Sequence, residues 1–176
     1  MAAATEARAT VMTPTSDKDL LFELASGPTF RFADWPVAEV PRVAAGLYSI
    51  WEQEALLYVG MSGQGGGAGK EALAVAIKRN RPWGLRTRLA SHASGRRSGD
   101  QFCVYVADYL VLPKLAPSDI QEIANRKASF DEHVKRYIRD RLVFRFALTE
   151  SGSRALAVER LVKAGGLGQL PLLNPL

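Results

Sequence analysis

Two phenols and a run of basic side chains are the groups in this sequence whose types and spacing suit chemistry. Tyr48 and Tyr58 lie in two short apolar runs, Gly46 to Trp51 and Ala55 to Gly60, separated by Glu52-Gln53-Glu54. The pattern predicts a β-hairpin with a three-residue turn. With the turn centred on Gln53, the tyrosines fall directly opposite one another on one face, Cβ atoms about 5 Å apart. Side-by-side phenols suit proton handling, and a cross-strand aromatic pair placed for packing has the same spacing.

The basic groups cluster. From Lys70 to Arg97 the chain carries eight Lys or Arg residues and one acid, Glu71. Lys70, Lys78, Arg79, Arg81, Arg86, Arg96 and Arg97 are the candidate phosphate contacts, and a solvated basic face is the plainer reading of the same run. Net charge is +5, with 16 Arg against 7 Lys; guanidinium forks match phosphate oxygens, although a G+C-rich coding sequence also inflates Arg. Gly69-Lys70 ends like a phosphate-binding loop, but Gln64 stands where the first glycine is required and Glu71 where the Mg²⁺-binding hydroxyl belongs. No nucleotide cofactor is expected.

These groups need a scaffold. The 176 residues suit one domain with a tail. Residues 1–19 read as a disordered tail and 20–44 as an arm whose Phe30, Phe32 and Trp35 pack on the core. The domain proper spans 45–176, with an inserted Gly-rich and basic segment at 61–83 and a mid-chain helical segment at 117–141. Leu73 to Lys78 suits a short helix before Pro82. Leu85, Leu89 and Ala93 form one stripe of a helix over Gly84 to Ser94. Phe102 to Leu112, apolar and rich in aromatic and β-branched residues, is predicted to be a strand. Ser118 with Gln121, and Ser129 with Glu132, are capping boxes that open helices. Leu142 to Thr149 reads as a strand, and Ser153 to Ala164 as a helix stopped by Gly165-Gly166. The fold class expected is α/β in the α+β sense: a small, mostly antiparallel sheet begun by the hairpin and flanked by helices.

Gly46-Leu47-Tyr48, nine residues, then Tyr58-Val59-Gly60 resembles the two-part signature of the GIY-YIG nuclease superfamily, with Leu47 and Val59 in place of isoleucines. The family places an Arg on the first helix after the hairpin, sometimes with a His one turn later; Arg88 and His92 stand there. It needs a Glu on a late helix and an Asn beyond it; Glu159 and Asn174 fit. Rivals are Arg86 for the arginine, Glu150 for the acid, and His133, read as a surface histidine. Some members carry a Lys just after the second tripeptide; here that place is Met61, and Lys70 is the candidate substitute.

The resemblance implies a DNA endonuclease that hydrolyses phosphodiesters to 5′-phosphate and 3′-hydroxyl. Glu159 would hold one Mg²⁺ or Mn²⁺ that stabilises the leaving oxygen, and Arg88 would neutralise the phosphate. Tyr48 would serve as general base, its pKa lowered by the cation and Arg88. Tyr58 and His92 would position water or share the proton, and Asn174 would brace the site. The alternative is a non-catalytic nucleic-acid-binding module on the same fold. Specificity would come from this domain, from a homodimer, or from a partner in a repair or defence complex. No apolar run reaches the roughly 18 residues of a membrane span, and the lone Cys103 has no disulfide partner in the chain; a cytoplasmic protein is expected.

Overall fold

A computed structural model describes residues 16–63 and 74–174. The chain is α+β: a four-stranded antiparallel sheet covered by helices on both faces, plus a two-stranded parallel ribbon. Strands are β1 (Phe30–Arg31), β2 (Val43–Ala44), β3 (Gly46–Glu52), β4 (Ala55–Ser62), β5 (Trp83–Gly84) and β6 (Val143–Leu148). Helices are α1 (Asp17–Ser26), α2 (Leu85–Ser94), α3 (Gln101–Tyr105), α4 (Pro117–Ala124), α5 (Phe130–Arg141) and α6 (Gly152–Lys163). Residues 74–78 are also helical. The sheet order is β1-β6-β3-β4, and β2 pairs with β5. The hairpin supplies the central β3 and the outer β4, but the arm contributes the first strand of the sheet, β1, against β6.

Because both sheet faces are covered, β3 is buried almost throughout rather than alternating. On one face Tyr48, Ile50 and Phe144 pack with Leu85 and Leu89 of α2, Phe102 of α3, Val106 just after it, and Val134 and Ile138 of α5. On the other, Leu47, Trp51, Val59 and Ala147 pack with Leu20 and Leu24 of α1 and Ala155, Val158 and Val162 of α6. Ser49, buried on this second face, donates to the Leu24 carbonyl at 2.7 Å and accepts from the Trp51 indole at 2.8 Å, so its hydroxyl and the indole N–H are both satisfied.

Several sequence expectations are corrected. Residues 16–19, expected within the disordered tail, open a helix: Ser16 caps α1 through a reciprocal box with Asp19. Phe102 to Leu112 is helical, not a strand: α3 runs into a π-helical stretch at Val106–Val111 and a 3-10 turn at Leu112–Lys114. Asp100 opens it as N-cap, accepting from the Phe102 and Cys103 amides. An apolar run of this length fits a buried helix as well as a strand. Its buried residues, 102, 103, 106, 107 and 111, follow helical spacing. The mid-chain helix α4 starts one residue before Ser118, with Pro117 at its first position and Asp119 bonded to the Ala116 amide. The hairpin turn has two residues, Gln53 and Glu54, since Glu52 pairs with Ala55. A bulge at Leu57 then shifts the register, so Tyr48 faces Gly60 and Tyr58 faces Ile50.

Residues 169–174 run along the outer edge of β4. Leu172 and Leu173 amides donate to the Leu56 and Leu57 carbonyls, and the Gln169 side chain bonds the Leu56 amide and the Glu54 carbonyl. The tail thereby covers an edge that would otherwise template strand addition.

Candidate functional site

Tyr48 and Tyr58 share a face despite the register shift, because the slip is by two residues and side chains alternate with period two. Their ring centroids are 6.4 Å apart. The second tripeptide's glycine has a steric reason: a Cβ at Gly60 would overlap the Tyr48 hydroxyl and lie 3.0 Å from Cε1 of Tyr58. At Gly46 a Cβ would overlap the Ala147 carbonyl and meet Leu85 at 2.6 Å, so the first glycine lets β6 and α2 close on the hairpin.

Helix α2 brings His92 to the phenols. Leu85, Leu89, His92 and Ala93 are its buried residues, which places His92 within the apolar stripe rather than beside it. The Tyr48 hydroxyl lies 2.6 Å from His92 Nε2, and His92 Nδ1 lies 2.7 Å from Asp100 Oδ2. Tyr58 completes an aromatic box with His92 and Phe102, at centroid distances of 6.1 and 5.1 Å. Asp100 was not among the sequence candidates. Its position before a helix would have marked it as an N-cap; that its other oxygen meets His92 is decided only by packing α2 against α3.

Burial governs the titration of this cluster. Tyr48, 1 % exposed, has its pKa pushed well above 10 by desolvation, reinforced by Tyr58 and outweighing the opposing pull of Arg88. Tyr58 is pushed up to about 12, by burial and then by the Glu159 carboxylate. Arg88 by itself therefore does not lower the Tyr48 pKa: desolvation outweighs it. Burial lowers the pKa of His92 despite the bond to Asp100, leaving a neutral imidazole at pH 7. Asp100 is held below its usual value against its own desolvation by bonds from His92, Ser91 and the Cys103 amide.

Arg88 lies on the exposed side of α2, with its charge acting on both phenols and on His92. Glu159 comes from α6 on the opposite sheet face, and its charge reaches both phenols. It is 9 % exposed, and it faces Lys163 at 3.5 Å, a long contact. Among the described residues no three of His, Cys, Asp and Glu converge. A cation here would have Glu159 as its protein carboxylate and complete its shell with water and phosphate oxygens. That donor set fits Mg²⁺ or Mn²⁺ and not the closed tetrahedral shell of structural zinc. Asn174 does not reach the phenols' polar atoms. Its side chain accepts from the Val59 amide at 2.7 Å and donates to the Val59 carbonyl at 2.9 Å, clamping β4 between Tyr58 and Gly60.

The basic candidates divide. Lys78, Arg79, Arg81 and Arg96 are exposed. Arg86 is spent within the fold, donating to the Val37 and Val40 carbonyls at 3.0 and 2.7 Å beside Trp35. Arg97 pairs with Asp131 at 2.6 Å over the Phe130 ring. Lys70 and most of the Gly-rich segment lie outside the described residues. Of the rivals, Glu150 is exposed and precedes α6. His133 is half-buried and lines a separate cleft of about 300 Å³ with Lys114, Arg136 and Tyr137. Cys103 is buried, with its thiol pKa raised by desolvation. No described helix is long and apolar enough to cross a membrane.

Comparisons with family models, with curated proteins and with solved structures return no match to this chain.

Proposed function

We propose that this protein is a divalent-metal-dependent DNA endonuclease of the GIY-YIG type. The observation that carries the reading is the grouping of two phenols and an imidazole at one hairpin, within the fields of the exposed Arg88 guanidinium and of the Glu159 carboxylate on the other sheet face. They come from β3, β4, α2 and α6, separated by more than a hundred residues of sequence. Phosphodiester hydrolysis asks for those parts. Arg88 offsets charge developing on the phosphate. Glu159 would hold Mg²⁺ or Mn²⁺, which when bound stabilises the leaving oxygen. Tyr58, the half-exposed phenol, orients the attacking water. Tyr48 assists only by passing on a proton, because burial keeps it from becoming a free phenolate. The exposed Lys78, Arg79, Arg81 and Arg96 draw in the DNA backbone.

The second reading, a non-catalytic nucleic-acid-binding module, is favoured by two observations. The Tyr48 residue is covered, and Glu159 already faces an ammonium group. One experiment separates the two. Purified full-length protein is incubated with plasmid, single-stranded and branched DNA, with Mg²⁺ and with EDTA. Cleavage that requires the cation and leaves 5′-phosphate ends supports the nuclease; salt-sensitive binding without cleavage supports the module.

A further inference from the structure

We infer that Asp100 is the positioning residue of the site, holding His92 in the one tautomer that accepts a proton from Tyr48; the inference rests on the nuclease reading and names how its proton is removed. Asp100 is 2 % exposed and His92 1 % exposed, so neither has water to fall back on. An ionised carboxylate only accepts hydrogen bonds. Across the 2.7 Å contact, His92 Nδ1 must therefore carry the proton and donate to Asp100 Oδ2. A neutral imidazole protonated at Nδ1 has a lone pair at Nε2, and the Tyr48 hydroxyl 2.6 Å away is its donor. The carboxylate is fixed in turn: its Oδ1 accepts from the Phe102 and Cys103 amides at the start of α3, at 3.1 and 3.4 Å. The directed chain Tyr48→His92→Asp100 is thus anchored to backbone.

Hydrolysis then balances as follows. A water attacks phosphorus, and its proton passes to the Tyr48 oxygen as the Tyr48 proton passes to Nε2. The water's oxygen forms the new P–O bond. The P–O3′ bond breaks with its electron pair on the 3′-oxygen, which takes a proton from solvent. His92, now imidazolium, is stabilised by Asp100 and returns its proton to bulk through Tyr48. A phenol too buried to ionise by itself is used without ever carrying a full charge. The charged and titratable groups whose fields reach Tyr48 or His92 are Tyr58 from β4, Arg88 from α2, Asp100 before α3 and, across the sheet, Glu159 from α6.

The test is Asp100→Asn in the full chain. Asn keeps an oxygen for the α3 amides, while its NH₂ donates to Nδ1 and drives the proton to Nε2, so His92 would donate to Tyr48 and the chain would reverse. The protein has two histidines, so nitrogen-15 spectra of the imidazoles, with His133→Gln for assignment, read the tautomer directly. The expected result is an Nδ1–H tautomer for His92 in the parent and Nε2–H in the variant. kcat should fall by about 10²- to 10⁴-fold, the range for losing a base or its correct tautomer, with KM little changed. The acid limb of the kcat–pH profile, set by His92 in the parent, should disappear. An Nε2–H tautomer in the parent overturns the inference, and so does a variant that keeps kcat within about threefold. If the variant does not fold, the parent spectrum still decides. A parent with Nδ1–H that cleaves no DNA supports the positioning role and overturns the nuclease reading alone.

Discussion

Replacing Gly60 with alanine isolates the contact on which the phenol pair depends. A Cβ at this position would overlap the Tyr48 hydroxyl, lie 2.5 Å from Cζ of the same ring and meet Tyr58 at 3.0 Å. The ring is 1 % exposed, and its hydroxyl is bonded to His92 at 2.6 Å, so it has nowhere to move without breaking that bond. Overpacking a filled core costs about 1–3 kcal/mol, and leaving a buried partner unsatisfied costs about 1–3 kcal/mol more. The expected loss is therefore about 2–6 kcal/mol, a large part of the roughly 5–15 kcal/mol available to such a domain. Urea denaturation should show it as a lowered midpoint with an unchanged slope, and Mg²⁺-dependent cleavage should fall with it. Gly99→Ala is the control: nothing lies within 4 Å, but φ is +79°, so its cost is backbone strain alone and cleavage should persist. Tyr48→Phe in the Gly60→Ala background removes the nearest clashing atom. It should recover part of the loss, with a coupling energy above about 0.5 kcal/mol. A Gly60→Ala protein as stable as the parent, or two strictly additive substitutions, would refute the steric account of the second glycine.

Glu159→Gln should lower cleavage by orders of magnitude while DNA binding and folding persist, since Gln keeps the shape and loses the cation-binding charge. Lys163→Ala should cost a few tenths of a kcal/mol, as for a helix i, i+4 pair, and leave cleavage nearly intact; equal cleavage by the Glu159→Gln protein would shift attention to Glu150. DNA affinity measured against salt should fall steeply, by close to one unit of log–log slope per phosphate contact. Arg96→Glu should flatten that slope more than Arg86→Gln, because Arg86 is already bonded to two carbonyls; the reverse order would argue against the exposed basic surface. Stability should decline on mild acidification: with the His92 pKa lowered by folding, the unfolded chain binds the extra proton first. Its contribution is full above about 6.5 and is lost between 6.5 and the lower folded value. Melting curves of the parent and of His92→Gln across that window should diverge, and parallel curves would show that His92 does not titrate with folding.

The sequence alone determined the parts governed by local periodicity and turn chemistry. The hairpin, the α2 stripe, the Ser129 cap of α5, β6 and α6 all follow from apolar spacing and capping residues within a dozen positions of one another. The candidates Tyr48, Tyr58, Arg88, His92 and Glu159 could be named from the sequence because the resemblance that proposes them rests on tripeptide spacing and element order, which are one-dimensional. Tertiary structure decided what one dimension does not hold. The 102–112 run is apolar enough for strand or helix, and only its burial between the sheet and α5 selects the helix. The two-residue turn and the bulge at Leu57 together moved Tyr58 two places from the expected register, and the tyrosines still share a face because the alternation survives an even shift. Arg86 looked like a phosphate ligand until the carbonyls of Val37 and Val40 claimed it. Asp100 is the clearest case. As an N-cap it is one acid among many, and it acquires its role only when the α2–α3 packing sets a carboxylate against the imidazole. Burial likewise outweighs the pull of Arg88 on the Tyr48 pKa. Desolvation is a property of everything packed around a group, whereas sequence spacing reports only the neighbours along the chain.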